Sequence, residues 1–178
     1  NDVNIENYFP KSLKKLEVLN VHGSLKWMEH LNGVKTLVFD DQKSRDNYSK
    51  EIKEITDINS FNYLKNLENL EFTSESFENL DSLTACKKLK KISLRVIGGE
   101  YGSEVRLKNI DVLGKLKKLE SFELTFRKKE YEGYVYFDTS NLKILKSCHS
   151  LKKITINGLS VETSNKTLLE TMFLTKWK

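Results

Sequence analysis

From Leu25 onward the chain places an apolar residue at every third position, through five positions, and then one more two positions later. Leu25, Met28, Leu31, Val34, Leu37 and Phe39 follow that rule, and Ile58, Phe61, Leu64, Leu67, Leu70 and Phe72 follow it again. Three further copies begin at Leu80, Ile110 and Leu142 and close on Leu94, Leu124 and Ile156, while Leu13, Leu16, Leu19 and Val21 supply a truncated first copy. Leu64, Leu67, Leu70 and Phe72 reappear as Cys86, Leu89, Ile92 and Leu94, each shifted by 22 residues. A fixed period of that size predicts a stack of like units. One helix per copy does not explain it: at about 100° per residue, a step of three falls about 60° short of a turn, so the apolar face would wander. The closing step of two, as in Leu70-Glu71-Phe72, is the alternation of a strand with one side buried. Each copy is therefore predicted to be a short helical or irregular segment, a turn and a short strand, together one coil of a solenoid.

The blocks LKKLEVLNV, LNGVKTLVF, LKNLENLEF, CKKLKKISL, LKKLESFEL and CHSLKKITI resemble the LxxLxxLxL core of leucine-rich repeats. The 22-residue unit with its preceding IxxL resembles the internalin-type class. The resemblance runs from about Leu13 to Ile156 and implies an α/β leucine-rich-repeat solenoid of about six coils. That architecture has a parallel sheet on the concave face and short helical or irregular convex segments. It also implies a binding protein without enzymatic activity.

Two departures from the family pattern stand out. Members usually carry an Asn three residues after the last strand position, whereas these positions hold Ser24, Gln42, Glu75, Ile97, Arg127 and Leu159, which predicts irregular turns there. The copies also start 18, 33, 22, 30 and 32 residues apart. The excess falls after the strands and predicts three excursions, approximately Asp40 to Glu54, Arg95 to Asn109 and Arg127 to Asn141. The last two read as hairpins, because EYGSEVRL and KEYEGYVYF each place Gly between β-favouring residues. Residues 160–178, with Leu168, Leu169, Met172 and Phe173 on one side, read as a helical cap over the open end of the stack.

Composition narrows the picture. The 178 residues, 38% hydrophobic and 31% charged, suit one solenoid domain spanning 1–178, and no run is long and apolar enough to predict a membrane span. Residues 1–13 show neither the basic start nor the apolar run of a signal peptide. Cys86 and Cys148 occupy the same apolar column two rungs apart, roughly 10 Å, beyond the ~7 Å reach of a disulfide. Buried free thiols are expected, which weakly favours a cytoplasmic setting.

The search for chemistry yields little. His22 and Asp40 each follow the last strand position of neighbouring copies, so a His–carboxylate pair on the sheet is conceivable, but no nucleophile matches it. His30 and His149 lack metal-ligand spacing, and GGEYG at 98–102 is not followed by a phosphate-binding helix start, so no catalytic residue, metal or cofactor is expected.

Thirty basic against 25 acidic side chains give +5, with lysines recurring in the turn before each strand, as at Lys87, Lys88, Lys117 and Lys118. These turns read as the solvated edge of the coils, with nucleic acid or another polyanion as the alternative partner. The exposed strand positions are mixed and mostly small, which favours protein recognition. The residues expected to touch a protein partner are Asn20, His22, Asp40, Glu71, Thr73, Ser93, Arg95, Glu123 and Thr125 on the sheet, with Tyr101, Arg127, Tyr131, Tyr134 and Tyr136 in the excursions. Tyr and Arg are frequent interface anchors because they combine area with hydrogen bonding. The expected function is thus a monomeric binding module, for instance a bacterial inhibitor or immunity-type protein that neutralises a toxin.

Overall fold

The closing L-x-L or L-x-F of each copy alternates inward apolar and outward polar residues, and in a computed structural model each becomes a strand. The structure describes residues 9–19, 25–40, 58–74, 80–97, 110–127 and 139–157, and the structural statements below refer to these. The strands are β1 (Lys15–Leu19), β2 (Thr36–Asp40), β3 (Asn69–Ser74), β4 (Lys91–Ile97), β5 (Ser121–Arg127) and β6 (Lys153–Asn157). They form one parallel sheet in strict sequence order. Leu37, Leu70, Ile92, Phe122 and Ile154 share one inward row, and Phe39, Phe72, Leu94, Leu124 and Ile156 the next.

The three-residue spacing upstream of strands two to six becomes a short helical segment. Lys26–His30, Ile58–Tyr63, Asp81–Ala85 and Thr139–Ser147 are 3-10 segments, and α1 (Val112–Lys115) is one turn of α-helix. A 3-10 segment repeats every three residues, so its i, i+3 side chains point the same way, which is what the apolar spacing requires. Leu25, Met28 and Leu31 are thereby buried together, as are Leu80, Leu83 and Cys86. In each coil the residue at the start of the turn then accepts a backbone bond from three residues on: Pro10, Leu31, Leu64, Cys86, Leu116 and Cys148 accept from Leu13, Val34, Leu67, Leu89, Leu119 and Leu151. Coils dock in an equally regular way, because one carbonyl before each strand accepts two consecutive N–H groups from the next coil. Glu68 O receives Lys90 N and Lys91 N at 2.8 and 3.1 Å, and Lys90 O receives Glu120 N and Ser121 N at 2.8 and 3.0 Å.

The core lies between the sheet and the helical turns as one continuous apolar cluster. Three phenylalanines, Phe39, Phe61 and Phe72, meet edge to face in its N-terminal half, with centroids 5.2 to 6.2 Å apart. The two cysteines are free and buried, as their column position predicts. The Cys86 thiol donates to Phe61 O at 3.5 Å and the Cys148 thiol to Leu113 O at 3.2 Å, so each ties its helical turn to the coil before it. Burial pushes the Cys86 thiol up to about 12. Iodoacetamide at pH 8 is therefore expected to leave Cys86 unmodified in the folded protein and to alkylate it after denaturation; modification under native conditions would contradict its burial.

Two expectations change. The first copy is paired three residues upstream of the predicted frame: Leu16 lies beside Leu37 and Val18 beside Phe39, while Leu19 faces outward, 59% exposed. The spacing from first to second strand becomes 21 residues (Leu16 to Leu37), close to the 22 between Leu70 and Ile92. Pro10, which accepts the Leu13 N–H, and Phe9, which stacks on Trp27 at 6.0 Å, anchor this frame from upstream. The second change is at Ile97 and Arg127, where irregular turns were expected. There β4 and β5 stay paired through Val96–Phe126 and Ile97–Arg127, so the second excursion begins after Ile97 and not at Arg95. The expected cap, residues 160–178, and the excursion hairpins lie outside the described residues.

Candidate interaction face

The helical segments cover the inner side of the sheet, which leaves its outer side as a broad surface to which every strand contributes. Three rows cross it. The first is Lys15, Thr36, Asn69, Lys91, Ser121 and Lys153; the second is Glu17, Val38, Glu71, Ser93, Glu123 and Thr155. The third runs Leu19, Asp40, Thr73, Arg95, Thr125 and Asn157. The inward rows repeat a few apolar types, whereas these rows change character from coil to coil.

Contacts fix several of these side chains. Arg95 reaches diagonally to Glu71, Nη2 to Oε1 3.4 Å, and Thr125 Oγ1 lies 3.5 Å from Glu123 Oε1. Asn69 Nδ2 donates to Thr36 Oγ1 at 3.1 Å.

A more ordered charge pattern runs along the residues just before the strands, and the sequence reading missed it. Glu68 accepts from Lys35 and Lys90, both at 2.8 Å, bridging coils two, three and four; Lys152 meets Glu120 at 3.1 Å between coils five and six. The ladder was hidden because the paired residues are 22 to 33 positions apart in the chain and become neighbours only once the register is known. The Lys35 and Lys90 ammonium groups hold the Glu68 carboxyl down at about 2, from an ordinary 4.5, and Glu68 in turn raises Lys90. The sign follows from linkage: the unfolded chain binds the proton first, so the stabilisation is complete above pH 4.5 and is lost as pH falls towards 2. Glu68→Gln is expected to flatten the acid limb of the stability–pH curve in that window and to leave pH 7 to 9 nearly parallel to the wild type; an unchanged acid limb would show that the bridges carry no linkage.

Of the residues predicted to meet a partner, the sheet brings together Asp40, Glu71, Ser93, Arg95, Glu123 and Thr125 on adjoining strands. Thr73 is in the same row but is only 2% exposed, so it is withdrawn from the contact set. In its row it lies between Asp40 and Arg95. The expected neighbour of Asp40 was His22, but the shifted first coil places Leu19 there instead. Asn20, His22, Tyr101, Tyr131, Tyr134 and Tyr136 lie outside the described residues, and of Arg127 the structure describes only the backbone at the end of β5. Among the described residues no three His, Cys, Asp or Glu side chains gather as a metal site, and no helix is long and apolar enough to cross a membrane.

Parallel rungs in one register, inward apolar columns and a short helical segment before each of strands two to six define a leucine-rich-repeat solenoid. Solved structures similar to this chain include two internalins. One is an internalin (inlF) from Listeria monocytogenes str. 4b F2365, with 17% identity over 89% of this chain and 52% of that one, at a TM-score of 0.34. The other is an internalin C2 (inlC2) from the same strain, with 13% identity over 80% of each chain, at a TM-score of 0.30. The chain thus spans about half the length of the first. No protein-family profile and no curated protein matches the sequence.

Proposed function

We propose that the chain is a non-enzymatic protein-binding module that holds a protein partner against the outer face of its sheet. The observation that carries this reading is the contrast between rows. The inward positions are uniform enough to fix the backbone, while Val38, Glu71, Ser93, Glu123 and Thr155, one step away, differ in charge and size on that fixed frame. Rigid presentation of varied side chains lowers the ordering cost of binding and leaves selectivity to the individual residues. Tyr101, Arg127, Tyr131, Tyr134 and Tyr136 are proposed to extend the contact from the neighbouring excursions. The finer form of the proposal is an inhibitory binder of the toxin-immunity kind, whose activity consists of covering a partner's working surface.

The test is affinity capture from the source organism, quantified by mass spectrometry, with three baits in parallel. Ser93→Trp, at the centre of the face, is expected to lose the partner at least tenfold, and Lys143→Glu, on the opposite side, to retain it. A set of proteins captured equally by all three baits would remove the sheet face as the binding site. Tyr134→Ala and Tyr136→Ala carry the same comparison into the third excursion.

A further inference from the structure

Along one edge of the sheet face, and sharing only its first row, the fold builds a second surface. The turn and strand-start residues of the six coils are 11–15, 32–36, 65–69, 87–91, 117–121 and 149–153, and the shared hydrogen-bond pattern and strand register stack them along one rim. These thirty positions hold thirteen lysines against two glutamates, a net of +11 on a chain whose total is +5. The remainder of the molecule is therefore net −6, so the charge is sorted by the fold and is not spread evenly. Both rim glutamates are already bridged by lysines, which leaves the rim a positive strip. Six rungs at ~4.8 Å make that strip about 24 Å long.

We infer that this rim binds the phosphate backbone of double-stranded nucleic acid without reading its sequence. Three features favour that ligand over an acidic protein. Lysine is depleted from protein–protein contacts but supplies the phosphate contacts of nucleic-acid interfaces, which are far more positive. The other rim side chains are chiefly Asn, Ser, Thr and one His, all hydrogen-bonding types that also contact phosphates, and the apolar residue of each turn points into the core. No Phe, Tyr or Trp lies in the strip, so it offers no extended stacking platform for the unstacked bases of a single strand, and no arginine lies there to read guanine in the major groove. A strip of this length spans about seven phosphates of one strand at ~3.4 Å each, enough for four or five direct contacts.

The experiment is fluorescence anisotropy with a labelled 20-base-pair DNA duplex in about 50 mM salt. Binding is expected, with a log–log salt slope of roughly −4 and thus about a 250-fold loss between about 50 and 200 mM. Lys87→Glu with Lys117→Glu, both exposed, is expected to weaken binding at least tenfold and to make the slope shallower by about 2. Lys143→Glu with Lys146→Glu removes the same charge from exposed positions of the Thr139–Ser147 segment, outside the strip, and is expected to leave affinity within threefold. Circular dichroism and thermal melting verify that both variants fold. Absence of binding at 50 mM salt, equal losses in the two double variants, or competition by polyglutamate as effective as that by unlabelled duplex would each overturn the inference. Because none of these variants changes the outer sheet rows, the result is independent of whether the sheet face holds a protein.

Discussion

Phe61→Ala is expected to destabilise the protein by about 3–5 kcal/mol, the cost of deleting a buried aromatic side chain from a packed core. Phe61 is fully buried on the helical side and closes a triangle with Phe39 and Phe72, its ring 6.2 and 5.7 Å from theirs and close to perpendicular to both. Those two belong to adjacent strands, whose chain connection is the first excursion, so Phe61 fastens the sheet to the helical turn at the point where the chain makes its longest detour. Truncation removes two edge-to-face contacts, each about 0.5–1.5 kcal/mol, and leaves a cavity between rigid rungs that cannot close up. For a domain with about 5–15 kcal/mol of stability, such a loss lowers the melting temperature by roughly 10 °C. Tyr63→Ala, two residues on at a side chain that is 40% exposed, is the control and is expected within about 0.5 kcal/mol of the wild type. Melting temperatures from circular dichroism decide the matter: similar shifts for the two variants would mean that the aromatic triangle does not hold coils two and three together.

The contrast between Phe61 and Tyr63 was visible in the sequence, because Phe61 falls on the three-residue apolar column and Tyr63 does not. The same column located Leu37, Leu70, Ile92, Phe122 and Ile154 in one row, and the structure pairs them so. Burial of a periodic column is a local property and can be read without knowing what the residues touch. What could not be read that way depends on contacts between coils. The bridges from Glu68 to Lys35 and Lys90 need the register of three strands, the diagonal pair of Arg95 with Glu71 needs the offset between neighbouring rungs, and the sorting of charge to one rim needs all six turns stacked. The interaction face was legible as a set of outward positions, since alternation fixes which residues leave the core; the pairings that immobilise those side chains were not.

Leu16→Lys is expected to cost about 2–3 kcal/mol, whereas Leu19→Lys leaves stability within about 0.5 kcal/mol of the wild type. Both leucines belong to the block LKKLEVLNV, where the apolar spacing admits two frames: Leu13, Leu16 and Val18 facing inward, or Leu16, Leu19 and Val21. Spacing alone does not choose between them, and a three-residue slip exchanges the buried and exposed sets of the whole strand. The observed pairing of Leu16 with Leu37 and Leu19 with Asp40 commits to the first frame, with Leu16 and Val18 packed against the core and Leu19 in water. An ammonium group at position 16 would have to abandon the contact with the core or carry its charge into it, and either loses the burial that holds β1 to β2. At position 19 the same group would stand opposite Asp40 on the solvent side, where a pair of unlike charges is neutral to mildly favourable. The second frame makes Leu19 a core residue and predicts a large loss there as well. Denaturant titration of the two variants therefore discriminates: a loss at position 19 as large as that at position 16 would move the first coil by three residues, return Asn20 and His22 to the outer rows, and redraw the N-terminal third of the proposed binding face.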